Sequence, residues 1–117
     1  MSNNPIRDLS DKLRQFARER DWEQFHTPKN LATALVVEAA ELAEHFQWLR
    51  GEESANLTEE KFKQVAMEMG DVFIYLIRLA DILGVDLIAA AEEKMSLNAA
   101  RYPADKVRGK ALKYKDL

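Results

Sequence analysis

VAMEMGDVFIYLIRLA, residues 65–80, is the stretch that decides the fold of this chain. At about 3.6 residues per turn, its apolar side chains cover nearly the whole circumference of a helix, and such a helix has to be buried on all sides. Three other short helices cannot easily surround it. We therefore expect a second copy of the chain to cover the rest, giving a homo-oligomer with a helical interface. The alternative is a compact monomer in which the first and last helices do so.

Proline, glycine and capping residues divide the sequence into helical segments. Pro5 suits the first turn of a helix that Asn3 or Asn4 would cap. Pro28 disfavours helix at the residue before it, and Gly84 is a stop signal after the quoted stretch. The predicted helices span about residues 5–20, 29–49, 58–83 and 86–102, with 51–57 a loop and 103–117 a partly irregular tail.

The predicted fold class is all-α, because no segment has a strand pattern of any strength. The 117 residues suit one domain, so we predict a single helical domain over 1–117 whose subunit resembles a four-helix bundle. Thr58 is expected to cap the third long helix alone, since Lys61 stands where a capping box needs an acid.

Two pairs of acids lie in the most apolar parts of the chain, each pair three residues apart. Glu68 and Asp71 lie within the quoted stretch, and Glu38 and Glu41 within the apolar run 31–49. Residues three apart share one face of a helix, so each pair points its carboxylates the same way. An unpaired buried carboxylate costs on the order of several kcal/mol. The four acids therefore need a positive charge between them.

A divalent cation is the simplest source of that charge. Oxygen-only ligands indicate Mg²⁺, with Mn²⁺ as a substitute. A di-iron centre would require Glu-x-x-His pairs, whereas His45 follows Glu41 by four residues. The alternative is a set of solvated surface acids, against which the apolar neighbours argue. Gly70 between the second pair could admit a ligand or another backbone, or be a tolerated glycine.

Composition excludes several classes of function. The chain has no cysteine, which excludes disulfides, thiolate metal sites and a cysteine nucleophile. A net charge of −3 without a basic stripe argues against a nucleic-acid polymer as partner. The charged start and the absence of a long apolar run predict neither a secretory signal nor a membrane span, so cytoplasm is the expected location.

Polar and aromatic residues on the helices are candidates for binding an anionic ligand. Lys94, Asn98 and Arg101 fall at i, i+4 and i+7, so they form one stripe that suits a triphosphate or is an ordinary solvated face. Trp48, seven residues after Glu41, would project from nearly the same face and stack on a base, or fill the core.

The remaining candidates also have two interpretations. Tyr75, four residues after Asp71, could hydrogen-bond a ligand oxygen or fill the core. Lys29 and Asn30 open the second helix, whose N-terminus favours anions, although Lys29 could be only a surface charge. His26 stands in a connector, where it is a base contact or an ordinary surface histidine.

The acid pairs and their flanks resemble a known family. EAAE at 38–41 followed by EMGD at 68–71 resembles the Glu-x-x-Glu … Glu-x-x-Asp motif of the all-α nucleoside triphosphate pyrophosphohydrolases. The segments RDWEQFHTPKNL, ELAEHFQW and KMSLNAARYP resemble its MazG-like branch, which includes the dCTP pyrophosphatases. The resemblance covers about residues 9–114.

That resemblance implies a helical bundle assembled as dimers or dimers of dimers, with magnesium in the acid cluster. It implies hydrolysis of a (deoxy)nucleoside triphosphate, with dCTP or a related pyrimidine nucleotide as substrate, to the monophosphate and pyrophosphate. It makes metal ligands of Glu38, Glu41, Glu68 and Asp71. It places Trp22, His26, Trp48 and Tyr75 near the nucleotide, and Lys94, Asn98 and Tyr102 against its phosphates or base.

Direct displacement by water is the expected mechanism, because no side chain is an evident covalent nucleophile. Glu41 is our candidate for the carboxylate that orients or deprotonates the water. Two other functions stay open from sequence. One is a non-enzymatic helical module that dimerises and binds a partner. The other is a related pyrophosphohydrolase that acts on another nucleotide, such as phosphoribosyl-ATP or one with a damaged base.

Overall fold

The computed structural model describes residues 3–117 and contains no strand within that range. The all-α prediction is therefore confirmed. Two 3₁₀ turns, Glu23–Phe25 and Tyr114–Asp116, accompany the helices. The helices are α1 (Pro5–Glu19), α2 (Pro28–Glu44), α3 (Gly51–Ser54), α4 (Glu59–Leu83), α5 (Leu87–Arg101) and α6 (Ala104–Val107).

Each of the four long helices begins at a side chain that caps it. In every case the cap oxygen accepts a hydrogen bond from the backbone N–H three residues later, which satisfies one of the first-turn amides that lack an intrahelical partner. Thr58 accepts from the Lys61 amide, as predicted for a simple cap. The caps are Asn4, Thr27, Thr58 and Asp86.

Helix α2 is shorter than predicted, because it ends at Glu44 rather than near residue 49. Beyond it the backbone tightens into turns, with the Phe46 amide bonded to the Ala43 carbonyl at 3.0 Å and the Leu49 amide to the Phe46 carbonyl at 3.0 Å. Apolar residues continue through this segment and Phe46 is half-buried. Periodicity over five residues does not distinguish such turns from a helix.

The segment predicted as a loop after α2 contains the single helical turn α3. The Glu53 carboxylate accepts a hydrogen bond from the Arg50 amide at 3.0 Å and so ties the start of the turn. Acidic side chains in a first turn also interact favourably with its exposed amides. The polar composition that indicated a loop therefore supplies the groups that stabilise this turn.

The chain divides into two compact units, with the boundary between Gly84 and Val85. In the first unit α2 packs along α4, and α1 packs against α4 as well. The second unit consists of α5, α6 and the C-terminal 3₁₀ turn. There the tail folds back on α5, since the Tyr114 and Tyr102 ring centroids are 6.1 Å apart, edge to face. The single domain over 1–117 stays a prediction.

Few large apolar side chains are buried in the described part of the chain. Leu31 and Ile77 are its largest fully buried side chains, and Val65 is also buried. On α4, by contrast, Met69 and Phe73 remain 56% and 42% exposed. In the single chain these side chains leave part of the α4 surface apolar, and its coverage by a second copy stays a prediction.

Gly84 should resist substitution by alanine. Its φ of 72° ends α4 in the left-handed conformation, which side chains with a Cβ adopt at a cost. We expect Gly84→Ala to lower the free energy of unfolding by about 1 kcal/mol. Chemical denaturation tests this, with Gly51→Ala as the control because Gly51 opens α3 without a positive φ and nothing lies within 4 Å of its added Cβ. If both variants lost the same free energy of unfolding, the left-handed conformation of Gly84 would not be the cause.

Candidate functional site

The packing of α2 on α4 brings three of the four predicted acids together. Glu38 and Glu41 lie one turn apart on α2, and Glu68 faces them from α4. Each contributes a carboxylate oxygen to a group whose members all lie within 4.8 Å of one another. Glu38 and Glu68 are half-buried and Glu41 is exposed. The cluster is therefore open to solvent on the side of Glu41.

Two oxygens of this cluster are buried without a hydrogen-bond partner. They are Oε2 of Glu38 and Oε2 of Glu68. Buried polar atoms are normally hydrogen-bonded, and an unpartnered carboxylate oxygen is costly. Convergent carboxylate oxygens without a protein partner are the ligands that Mg²⁺ and Mn²⁺ prefer. These residues therefore fit a hard divalent cation.

The electrostatics of the cluster are those of crowded negative charge. The pKa of Glu38 is raised above its ordinary value, chiefly because protonation would let it donate a hydrogen bond to the Glu68 carboxylate, and also because burial disfavours the charged form. The negative charges of Glu68 and Asp71 act in the same direction, while a hydrogen bond with Glu41 acts in the opposite one. A bound cation would reverse this balance by favouring the ionised carboxylates.

Asp71, the fourth predicted ligand, lies one turn after Glu68 on α4 and is exposed. It is outside the group of three converging carboxylates. Its charge nevertheless contributes to the raised pKa of Glu38, so it belongs to the same electrostatic environment. The structure thus brings carboxylate oxygens of three of the four acids within 4.8 Å of one another and leaves Asp71 outside that group.

An open polar depression borders the acids. Glu41 and Glu68 line it together with Glu44, His45, Gln47 and Lys61. Lys61 places its Nζ 3.3 Å from Nδ1 of His45. Lys61 was not among the predicted residues, although it precedes Glu68 by seven residues and so lies on the same face of α4. It sets a positive charge beside the carboxylates.

Trp22 and His26 lie together after α1, at the 3₁₀ turn. Their ring centroids are 6.5 Å apart, and Trp22 also packs edge-on against Phe16 at 5.8 Å. Trp22 is 44% exposed and His26 is half-buried. Nδ1 of His26 lies 3.3 Å from both Nε and Nη2 of Arg78, a buried side chain that was not among the predicted residues. His26 and Arg78 are 52 positions apart, so no local sequence pattern predicts their contact.

Lys29 and Asn30 occupy the first turn of α2, as predicted. Lys29 is exposed. The side chain of Asn30 donates to the Phe25 carbonyl at 3.0 Å, and its backbone amide donates to the Thr27 hydroxyl at 3.2 Å. One amide of this helix N-terminus is thus satisfied by its own cap. The Asn30 side chain fastens the preceding turn to α2.

The helical spacing that predicted Trp48 on the Glu41 face does not apply, because α2 ends at Glu44. Trp48 lies in the following turn and is 87% exposed, so the alternative of a core tryptophan is wrong for the single chain. Tyr75 lies on α4, one turn after Asp71, and is half-buried.

In the second unit, Lys94, Asn98 and Arg101 are exposed along α5, and Tyr102 caps its C-terminus. The Arg101 guanidinium lies 4.8 Å from the Tyr114 ring centroid, a cation–π contact. Tyr114, which also packs on Tyr102, was not among the predicted residues. The tail therefore orders two of the candidate side chains of this unit.

Comparison with known proteins identifies the family. A model of the MazG-like family matches residues 33–117, which includes all four acids. The chain belongs to the MazG-like family. The resemblance found from the motif and its flanks is confirmed.

Curated relatives of this MazG-like chain are pyrophosphatases. It is 46% identical over 114 residues to dCTP pyrophosphatase 1 of Rattus norvegicus, covering 96% of this chain and 67% of the relative. It is 44% identical over 114 residues to dCTP pyrophosphatase 1 of Homo sapiens, with the same coverage. These relatives confirm the predicted enzyme class, a nucleoside triphosphate pyrophosphohydrolase.

A solved structure agrees with the family assignment. The crystal structure of a pyrophosphatase from Archaeoglobus fulgidus superposes on the MazG-like chain with a TM-score of 0.82 at 39% identity. The match covers 88% of this chain and 96% of that one.

Among the described helices, none is both long enough and apolar enough to cross a membrane.

Proposed function

We propose that this enzyme hydrolyses a pyrimidine (deoxy)nucleoside triphosphate, with dCTP as the first candidate, to the monophosphate and pyrophosphate with magnesium as cofactor. The carboxylate cluster with two buried, unpartnered oxygens carries this proposal. The dCTP pyrophosphatase relatives, which match 96% or more of this chain, support dCTP as the first substrate to test.

Glu38, Glu41, Glu68 and Asp71 would hold the cation, Mg²⁺ or Mn²⁺ in its place. When bound, it supplies positive charge for the triphosphate and makes a water molecule more acidic. The chain contributes oxygens from two packed helices. Asp71 lies outside the closest group, so we assign it the outermost position among the four.

Glu41 is our candidate for the carboxylate that handles the proton of the attacking water. It is exposed and lines the polar depression beside the cluster, so water and substrate can reach it. It orients a water molecule and accepts its proton while the water oxygen bonds to the α-phosphorus. The bond from that phosphorus to the bridging oxygen breaks, and pyrophosphate leaves with the electron pair.

The nucleotide is held by aromatic and cationic groups. We assign Trp22, His26, Trp48 and Tyr75 to the base and sugar, since stacking on rings tolerates any base and needs exposed faces such as that of Trp48. Lys29 and Asn30 at the start of α2 would take part in phosphate binding. In the second unit the phosphate and base contacts are assigned to Lys94, Asn98, Arg101 and Tyr102.

We also propose the partners and the location that the sequence predicts. The enzyme assembles with copies of itself, as a dimer or dimer of dimers, and acts in the cytoplasm. It binds neither a nucleic-acid polymer nor a membrane. Support for self-assembly comes from α4, on which Phe62 and Met67 are 63% and 72% exposed in one chain.

A panel of nucleoside triphosphates with product analysis tests the function. We expect dCTP to give dCMP and pyrophosphate with Mg²⁺ or Mn²⁺, and no turnover after chelation. The cation should also raise the melting temperature, because a ligand at a hundredfold excess over its Kd stabilises a fold by about 2.7 kcal/mol. No hydrolysis of any nucleotide and no stabilisation by either cation would instead indicate a non-enzymatic module. If only another nucleotide is hydrolysed, that nucleotide rather than dCTP is the substrate.

A further inference from the structure

Arg78 is the one buried charged residue in the described part of the chain, at 2% exposure. It lies on α4, two turns beyond Asp71, and the acid cluster does not account for it. An arginine is seldom buried without partners, because its charge loses solvation. Its partners therefore indicate what it does.

Arg78 uses its donors in two directions. Nη1 donates to Oδ2 of Asp81 at 2.9 Å, and the Asp81 carboxylate is held in turn by Arg14 of α1. Nε and Nη2 both lie 3.3 Å from Nδ1 of His26. A chain of contacts thus runs from α1 through α4 to the turn that carries His26 and Trp22.

These contacts determine the state of the His26 ring. A guanidinium has only donors, so Nδ1 of His26 has to be the acceptor and carries no hydrogen. The ring is then neutral, and its hydrogen is on Nε2. The pKa of His26 is lowered, first by burial and then by the charge of Arg78, with Glu23 opposing. The Asp81 charge is already shared between Arg14 and Arg78.

We propose that Arg78 is a positioning residue that holds His26 as a neutral hydrogen-bond donor through Nε2, and that this donor recognises an uncharged acceptor on the base or sugar of the nucleotide. This inference rests on the proposed function, since it assumes that His26 contacts the substrate. A neutral ring adds no positive charge for the triphosphate. Its contribution is therefore to nucleoside recognition rather than to phosphate binding.

The state of the ring can be tested without substrate. Long-range ¹H–¹⁵N correlation spectra distinguish a nitrogen that carries hydrogen from one that does not, and the chain has only two histidines, so a His45→Gln variant assigns the signals. We expect Nδ1 of His26 without hydrogen throughout the range around pH 6.5. In Arg78→Met, where Glu23 and the Arg14–Asp81 pair remain nearby, the ring should take up a proton in that range. A hydrogen on Nδ1 in the unmodified protein would overturn the proposal.

Kinetics test the consequence for recognition. We expect Arg78→Met to raise the KM for dCTP by about tenfold, the loss of one hydrogen bond, with kcat changed little. The inhibition constant of tripolyphosphate, which has neither base nor sugar, should not change. In a His26→Ala background the same substitution should add nothing, because the two residues act as one unit. Arg78→Lys, which keeps one donor group, should give an intermediate KM.

Arg18→Met is the matched control, because Arg18 pairs with Glu23 of the same turn, whereas the hydrogen-bond partner of His26 is Arg78. Its KM should match that of the unmodified protein. Unchanged KM in Arg78→Met, or an effect that adds to that of His26→Ala, would refute the positioning role in an active enzyme. Should the unmodified protein hydrolyse no nucleotide, the proposed function fails, and the spectra still decide the state of the ring.

Discussion

Glu38→Ala is expected to reduce turnover of dCTP by about 1000-fold or more, because it removes a half-buried side chain that we propose as a cation ligand, and a cation in this cluster would supply several kcal/mol of charge stabilisation. Asp71→Ala should also abolish most turnover, although its position at the edge of the cluster predicts the smaller loss of the two. Helix content should hardly change. Steady-state kinetics with saturating Mg²⁺ and far-ultraviolet circular dichroism provide the measurements.

The matched control is Glu59→Gln on α4, whose side chain is 88% exposed and lies outside the cluster. It should retain activity. Substantial magnesium-dependent hydrolysis by both Glu38→Ala and Asp71→Ala would contradict the assignment of the acids.

In the absence of metal, the crowded carboxylates of this cluster are expected to destabilise the fold at neutral pH. Because the pKa of Glu38 is raised in the folded state, the unfolded chain binds fewer protons above pH 4.5, the ordinary value. Stability of the metal-free protein therefore falls as pH rises from there through the raised pKa. Glu38→Gln should remove this loss and raise the melting temperature in chelator at pH 7, while gaining less than the unmodified protein from Mg²⁺. A lower melting temperature in chelator would indicate simple damage instead.

Met69→Glu is expected to dissociate the homo-oligomer that we propose. Met69 and Phe73 line an apolar depression of about 440 Å³ with Leu42, Gly70, Val72 and Leu76. At about 100° per residue, Met69 and Phe73 lie roughly 100° and 140° around α4 from Glu68, so the substituted position points away from that acid. A buried, unpaired carboxylate in a subunit interface costs on the order of 3 kcal/mol, which weakens association by about 100-fold or more.

Light scattering during size-exclusion chromatography would measure this loss of mass. Lys63→Glu is the control, since it adds a glutamate to the same helix at a position whose side chain is 75% exposed. It should assemble like the unmodified protein. Equal masses for both variants and the unmodified chain would show that another surface, or none, joins the copies.

Much of the fold follows from local sequence. The starts of the four long helices were predictable because a cap and its amide are three residues apart, and the end of α4 because Gly84 adopts the left-handed conformation more readily than other residues. The end of α2 was not predictable in this way. Its apolar pattern continues past Glu44 into tight turns, and only packing decides which of the two backbones forms.

The candidate site likewise depends partly on local sequence and partly on how the helices pack. The spacing within each acid pair depends on one helix, so sequence alone determined that Glu38 and Glu41 share a face, as do Glu68 and Asp71. The packing of α2 on α4 decided which carboxylates converge, left two buried oxygens without partners and kept Asp71 at the edge. It also joined His26 to Arg78 across 52 residues. Sequence periodicity indicates which residues share a face of one helix. Contacts between distant residues form only when the helices pack, because the burial of side chains determines which of many possible helix pairings is stable.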